Sequence, residues 1–182
     1  MLLGEVVPPL PVKEGHVYKE HCTYERYGSC ALLAAIEPLT GKRLGQVRTQ
    51  RTKKEYTAFC QALAARYPEA KKIRLVQDNL NTHNISSFYE YLPPTKAFAL
   101  AQRFEFYYTP KSASWLNMIE IEFSALARQC LKRRIPTIAM LKTQIITALK
   151  RREKRQVKIN WQFSIVNART KMSAHYQKLR AR

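Results

Sequence analysis

Asp78 is the only aspartate in this 182-residue chain, and it ends the short apolar-rich run KIRLVQ, residues 72–77. A run of that length, bounded by polar residues, reads as a buried strand. In open α/β sheets ligands collect beyond the carboxyl ends of strands, which is where Asp78 would lie. A lone carboxylate at such a place equally serves as a turn or capping residue. The second acid of interest is Glu120. In the segment SWLNMIEIEFSALARQCLK, the residues Leu116, Ile119, Phe123, Leu126, Ala127, Cys130 and Leu131 recur on one helical face. At about 100° per residue the stripe centres near Phe123, with Glu120 about 60° and Glu122 about 100° from that centre. This phase puts Glu120 against the buried side and Glu122 on the helix flank. A desolvated carboxylate needs a cation, either an arginine side chain or a metal ion. Asp78 and Glu120, with His83, Lys111, Ser112 and Asn117 around them, make an oxygen-rich set suited to a hard cation, Mg2+ or Mn2+.

The elements that must position these acids follow from local pattern. Residues 5–26 are rich in Pro, Glu and His with little periodicity, so residues 1–26 read as an extended arm. Residues 27–50 give two strand-like runs around EPLTGK, where Pro38 and Gly41 mark the turn of a hairpin. Thr52 and Glu55 have capping-box spacing, and the apolar residues that follow predict a helix over 53–66 before Pro68. Beyond Asp78, Asn81 or Thr82 can cap a helix over 83–91 that Pro93 and Pro94 close. RFEFYYTP, residues 103–110, alternates as a strand, and Pro136 with Thr137 starts a last helix striped by Ile138, Leu141, Ile145 and Leu149. The order is strand, strand, helix, strand, helix, strand, helix, helix. It predicts an α/β layered domain with a mixed sheet, a core over 27–135 and a basic helical segment over 136–182 packed on it.

Composition narrows the partners. With 46% apolar and 10% aromatic residues the chain can build a core, and its net charge of +19 concentrates polyanions, nucleic acid first among them. Residues 123–182 hold 16 of the 32 Lys and Arg and a single acid, Glu153. Arg128, Lys132, Arg133, Arg134, Lys150, Arg151 and Arg152, with Lys111, are the expected DNA contacts. No apolar stretch approaches the ~20 residues that span a bilayer, so the chain reads as soluble and cytoplasmic, working at the nucleoid, with no membrane partner. Cys22, Cys30, Cys60 and Cys130 lack close metal-ligand spacing and read as buried thiols.

DNLNTH, followed by FYYTPKSASWLNMIEIEFSALARQCLKRR, closely resembles the catalytic domain of DDE transposases, specifically the bacterial insertion-sequence relatives of the mariner-like elements. The resemblance runs from about residue 2 to 176 and takes in EPLTGKR and NWQFSIVNARTKM. It implies a ribonuclease-H-like fold in which two aspartates and a glutamate hold two divalent ions, Mg2+ or Mn2+, for attack of water or a DNA 3′-hydroxyl on phosphodiesters. Asp78 then matches the second aspartate and Glu120 the glutamate. Asn79, His83 and Asn117 match supporting positions near the metals.

The resemblance also defines what this sequence lacks. The first aspartate should sit on a strand preceding LLGE, residues 2–5, and no other aspartate is present to replace it. In ribonuclease-H-like sheets that central strand lies between the hairpin and the strand bearing the second aspartate. Losing three or so of its buried side chains forfeits about 5–9 kcal/mol at ~1.5–3 kcal/mol each, comparable with a domain's net stability. The expectation is therefore an N-terminally truncated transposase catalytic domain, inactive by itself. It would be completed by an upstream fragment that supplies the aspartate and a helix-turn-helix module, or would act in a homo-oligomer. The alternative is a non-catalytic basic nucleic-acid-binding protein derived from a transposase.

Overall fold

A computed structural model describes residues 1–7, 9–10, 14–15, 22–110, 113–167, 169–170 and 173. Six strands, five α-helices and a 3-10 turn are formed among them. The strands are β1 (Leu2–Glu5), β2 (Tyr24–Gly28), β3 (Ala31–Ile36), β4 (Arg43–Arg48), β5 (Ile73–Gln77) and β6 (Phe104–Tyr108). The helices are α1 (Lys53–Arg66), α2 (Ser86–Tyr91), α3 (Pro94–Gln102), α4 (Ile119–Cys130) and α5 (Ile138–Lys154), with the 3-10 turn at Ser114–Leu116. This mixed α/β architecture agrees with a ribonuclease-H-like domain.

The predicted hairpin is β3–β4, antiparallel from Ala31↔Arg48 to Ile36↔Arg43. Its turn closes through Gly41 N donating to the Glu37 carbonyl at 2.8 Å, and Gly41 takes φ +81°, a left-handed backbone that glycine adopts without strain. β5 and β6 run parallel, Ile73↔Phe104 to Gln77↔Tyr108, with α2 and α3 in the crossover between them. α1 is capped as expected, the Thr52 hydroxyl accepting from Glu55 N at 3.3 Å.

Three features depart from the sequence expectation. The segment read as an arm contributes β1 and part of β2, which pair antiparallel; β1 docks on the rest of the domain through Leu3 N donating to the Ile135 carbonyl at 3.0 Å. The helix expected over 83–91 starts only at Ser86, because residues 78–85 form a loop in which Asn84 Oδ1 accepts from Ser87 N at 3.2 Å. Pro94 opens a further helix instead of closing one: it sits in the first turn of α3, where its missing N–H leaves no bond unmade.

Two apolar clusters flank the strands. Tyr56, Cys60, Leu63 and Ala64 of α1 pack with Phe88, Ala97, Leu100 and Phe104. Leu126 of α4 packs with Ile145, Ala148 and Leu149 of α5 and Val47 of β4. The ladders β3–β4 and β5–β6 are not hydrogen-bonded to each other, so the single mixed sheet expected from sequence is divided, among the described residues, into two-stranded pairs.

α5 lies so close to β4 that a Cβ at Gly45 would meet Leu149 Cδ1 at 2.2 Å. Gly45→Ala is therefore expected to lower stability by about 1–3 kcal/mol through overpacking, read as a lower urea midpoint at unchanged m. Among the cysteines, Cys60 is buried, Cys30 and Cys130 are half-buried and Cys22 is exposed, so the expectation of four buried thiols holds fully only for Cys60. Burial raises the Cys60 thiol to about 12, which keeps it protonated and inert.

Candidate active site

Asp78 immediately follows β5, and its position is set by a short relay of side chains. His83 Nδ1 donates to Asp78 Oδ1 at 2.6 Å, which fixes the ring nitrogen that carries the proton. The imidazole stacks on Tyr56 with ring centroids 4.7 Å apart. The Tyr56 hydroxyl donates to Gln77 Oε1 at 2.8 Å, and the Gln77 amide donates to the His83 carbonyl at 2.8 Å. Burial pushes the Tyr56 hydroxyl well above its ordinary range, so it remains a donor at all working pH. α1, β5 and the loop after β5 are thus tied together behind one carboxylate.

The hydrogen bond from His83 holds the Asp78 carboxyl below the usual carboxylate range; partial burial opposes this, and Arg51 adds to the lowering. Asp78 is ionised at neutral pH, and its side chain remains 35% exposed, open to a ligand.

Glu120 arrives from the other end of the sequence. The 3-10 turn at Ser114–Leu116 leads into α4 through Asn117, whose Oδ1 accepts from Ile119 N at 3.3 Å. Glu120 stands in the first turn of α4, where the positive end of the helix dipole favours a negative charge. Asp78, His83, Asn117 and Glu120 all line one cavity of about 460 Å3, together with Arg51, Tyr56 and Gln77. Asn79 is exposed and does not line it. Lys111 and Ser112 lie outside the described residues.

The helical phase read from the sequence needs correction. Glu120 is exposed, and Glu122, assigned to the flank, is fully buried at 0% exposure. Glu122 Oε1 and Oε2 accept from Arg43 Nε and Nη2 at 2.8 and 3.1 Å, and from Arg152 Nε and Nη2 at 2.8 and 3.0 Å. Two guanidiniums supply the compensation that lets α4 turn an acid inward next to Leu126 and Ala125. Burial alone would raise the Glu122 carboxyl, but its bonds to Arg43 and Arg152 outweigh that and hold it below the ordinary glutamate range.

The ion triad removes Arg152 from the expected DNA contacts. Arg134 is likewise engaged: it pairs with Glu5, donates to the Thr23 carbonyl at 3.1 Å and sits 5.6 Å from the Tyr24 ring centroid. Arg128, Lys132, Arg133, Lys150 and Arg151 are exposed. Sequence reasoning missed Arg51, Tyr56 and Gln77. For Tyr56 a signal existed: a tyrosine on the buried stripe of a helix needs a partner for its hydroxyl.

A sequence model of the DDE superfamily endonuclease family matches residues 3–142. The chain belongs to that family. No curated protein and no solved structure matches it. DDE superfamily endonucleases act on DNA and generally use divalent metal ions, so the donor set decides how well this chain suits one. Among the described residues no cluster of three His, Cys, Asp or Glu side chains could hold a metal ion. Asp78 and Glu120 are hard oxygen donors on one cavity, and two carboxylates suffice for Mg2+, which keeps several waters and takes substrate phosphate oxygens as further ligands. The residues present fit one ion of that kind better than a closed protein cage. No helix among the described residues is long and apolar enough to cross a membrane.

Proposed function

We propose that this DDE-family chain carries two of the three carboxylates of a transposase, Asp78 as the second aspartate and Glu120 as the glutamate, and that the complete enzyme cuts and joins DNA strands during transposition. The branch is the bacterial insertion-sequence group related to mariner-like elements. The observation that carries this reading is the shared cavity: residues 42 positions apart in sequence line one site at the carboxyl end of β5. When bound, Mg2+ or Mn2+ supplies Lewis-acid stabilisation of the charge that develops on the entering and leaving oxygens of a phosphodiester. Asp78 and Glu120 would hold it. His83 keeps Asp78 ionised and aimed, and Tyr56 and Gln77 keep His83 in place.

With one aspartate in the whole sequence, this chain alone does not complete the triad and is inactive in our reading. An aspartate-bearing strand from an upstream transposase fragment restores it. Incubation with Mn2+ and element-end DNA tests this. No cleavage is expected from the chain alone; cleavage appears when the upstream fragment is added and disappears again with Glu120→Gln. Cleavage that survives Glu120→Gln would refute the assignment.

A second reading, a non-catalytic basic DNA-binding protein, draws support from the lack of a three-ligand cluster among the described residues. Both readings predict binding dominated by phosphate contacts. If Arg128, Lys132, Arg133, Lys150 and Arg151 all reach the backbone, log K for duplex DNA falls with log salt at a slope of about −4 to −5. Charge removal at Lys132 with Arg133 should reduce that slope by roughly 2. Arg152→Gln should leave the slope unchanged, because that guanidinium is committed to Glu122. Titrations of a fluorescent duplex across a salt series check both outcomes.

A further inference from the structure

The segment that follows α5 runs back toward the candidate site. α5 ends in a turn that reverses the chain: Gln156 takes φ +49°, its N–H donates to the Glu153 carbonyl at 2.8 Å, and the Val157 N–H donates to the Arg152 carbonyl at 3.1 Å. Residues 157–163 then lie outside regular secondary structure, yet their burial alternates. Val157, Ile159, Trp161 and Phe163 are half-buried, while Lys158, Asn160 and Gln162 are exposed. A period of two belongs to an extended chain laid along a surface. That surface is the turn of the β3–β4 hairpin. Arg43 donates to the Val157 carbonyl, and Ile159 N donates to the Pro38 carbonyl at 3.0 Å. The approach is so close that a Cβ on Gly41 would meet the Val157 carbonyl oxygen at 3.0 Å. Pro38 itself lines the cavity shared by Asp78 and Glu120.

At its far end the segment reaches the stretch that leads to Glu120. Phe163 makes a T-shaped contact with Trp115, ring centroids 5.1 Å apart and planes at 85°, and a second one with Trp161 at 6.1 Å and 78°. Trp115 is the middle residue of the 3-10 turn Ser114–Leu116, and residues 116–120 line the cavity. The turn is three residues long with none of them fully buried, and Ala113 before it offers no side-chain cap. Fixing a single helical turn costs more conformational freedom than its few hydrogen bonds return. Its position therefore depends on tertiary contact.

We propose that residues 157–163 form a clasp that positions Asn117 and Glu120. Arg43 and Pro38 fix one end of the clasp on the hairpin, and at the other end Phe163 holds Trp115 and so sets where the chain enters α4. Glu120 is carried by that entry. Asn117 N donates to the Ser114 carbonyl at 2.8 Å and Glu120 N to the Asn117 carbonyl at 3.1 Å, which links the 3-10 turn to the first turn of α4. The clasp lies beyond residues 3–142, the part of the chain that the family model matches, so the site is braced from outside the matched region. That this bracing serves a metal ion rests on the function proposed above.

The test compares the full chain with Phe163→Ala, with the conservative Phe163→Tyr and with Ile165→Ala, a control at a neighbour that is 73% exposed. Phe163→Ala should keep a urea midpoint close to the parent's, since Phe163 belongs to neither apolar cluster. The amides of Leu116, Asn117 and Glu120 should exchange about 10-fold faster or more, while those of Cys60 and Leu63 in α1 keep the parent's rates. Phe163→Tyr should restore slow exchange, and Ile165→Ala should never lose it. Both tryptophans of the chain touch Phe163, so Phe163→Ala should also move tryptophan emission to longer wavelength. Mn2+ affinity by isothermal titration should fall about 10-fold, the scale for losing a group that orients a ligand. Unchanged exchange at the three amides would overturn the clasp, as would equal acceleration in α1, which marks general loosening. Faster local exchange with undiminished Mn2+ affinity would overturn the positioning of Glu120. A parent chain that binds no Mn2+ while its amides respond as expected leaves the clasp standing and counts against the metal reading.

Discussion

Glu122→Gln is expected to destabilise the chain by about 3–5 kcal/mol, because it leaves two guanidiniums facing a neutral amide inside the protein. The side chains of Arg43 and Glu122 are 0% and 1% exposed, and that of Arg152 is 11% exposed. Arg43 also donates to the carbonyls of Gly41 and Val157, so its guanidinium cannot swing out to water without breaking the turn of the hairpin and the segment after α5. A single domain has about 5–15 kcal/mol in total, so the variant should show a large fall in urea midpoint, or fail to fold at 37 °C. Truncating Arg152, at the edge of the triad, should cost less than truncating Arg43.

The same triad sets the acid limit of the fold. The Glu122 carboxyl is lower in the folded state than in the unfolded chain, so the unfolded chain binds protons first as pH drops. Its contribution is fully present above the ordinary glutamate value of about 4.3 and is lost as pH falls below that, through the folded-state value. Asp78, lowered chiefly by His83, adds a contribution of the same sign. Thermal unfolding followed from pH 7 downward should show stability falling steeply in the acid range for the parent and less steeply for Glu122→Gln.

The second large effect concerns the metal. Asp78→Asn and Glu120→Gln should each weaken Mn2+ binding at the cavity by more than 100-fold, and each should abolish cleavage by the completed enzyme. The scale comes from the ~10–100-fold typical of losing a residue that merely orients a ligand. His83→Gln belongs to that smaller class, since its effect passes through Asp78. It should retain fold and DNA affinity while lowering Mn2+ affinity by about 10–100-fold. Isothermal titration with Mn2+ in the presence of the upstream fragment measures all three.

Much of this arrangement is legible in the residues because the local signals agree with one another. The Thr52 cap, the turn at Gly41 and the apolar run ahead of Asp78 each correspond to an element of the fold. The placement of Asp78 directly after a strand follows from that order. The facing of Glu120 and Glu122 was not legible. Hydrophobic periodicity ranks the two acids only by their angle from the apolar stripe, and the partners that draw Glu122 inward, Arg43 and Arg152, lie 79 and 30 residues away. α3 was hidden by the pair Pro93–Pro94, whose second member begins a helix. The division of the expected sheet was beyond periodicity altogether, since strand pairing is a matter of neighbours and not of pattern.

The most direct measurement is anomalous diffraction from crystals of the chain soaked in Mn2+. Joint ligation predicts a peak in the cavity between α4 and the end of β5, with oxygens of both Asp78 and Glu120 at about 2.1–2.2 Å, close to the Mg2+ distance. A peak bound to only one of these carboxylates, or Mn2+ bound only elsewhere on the protein, would contradict it.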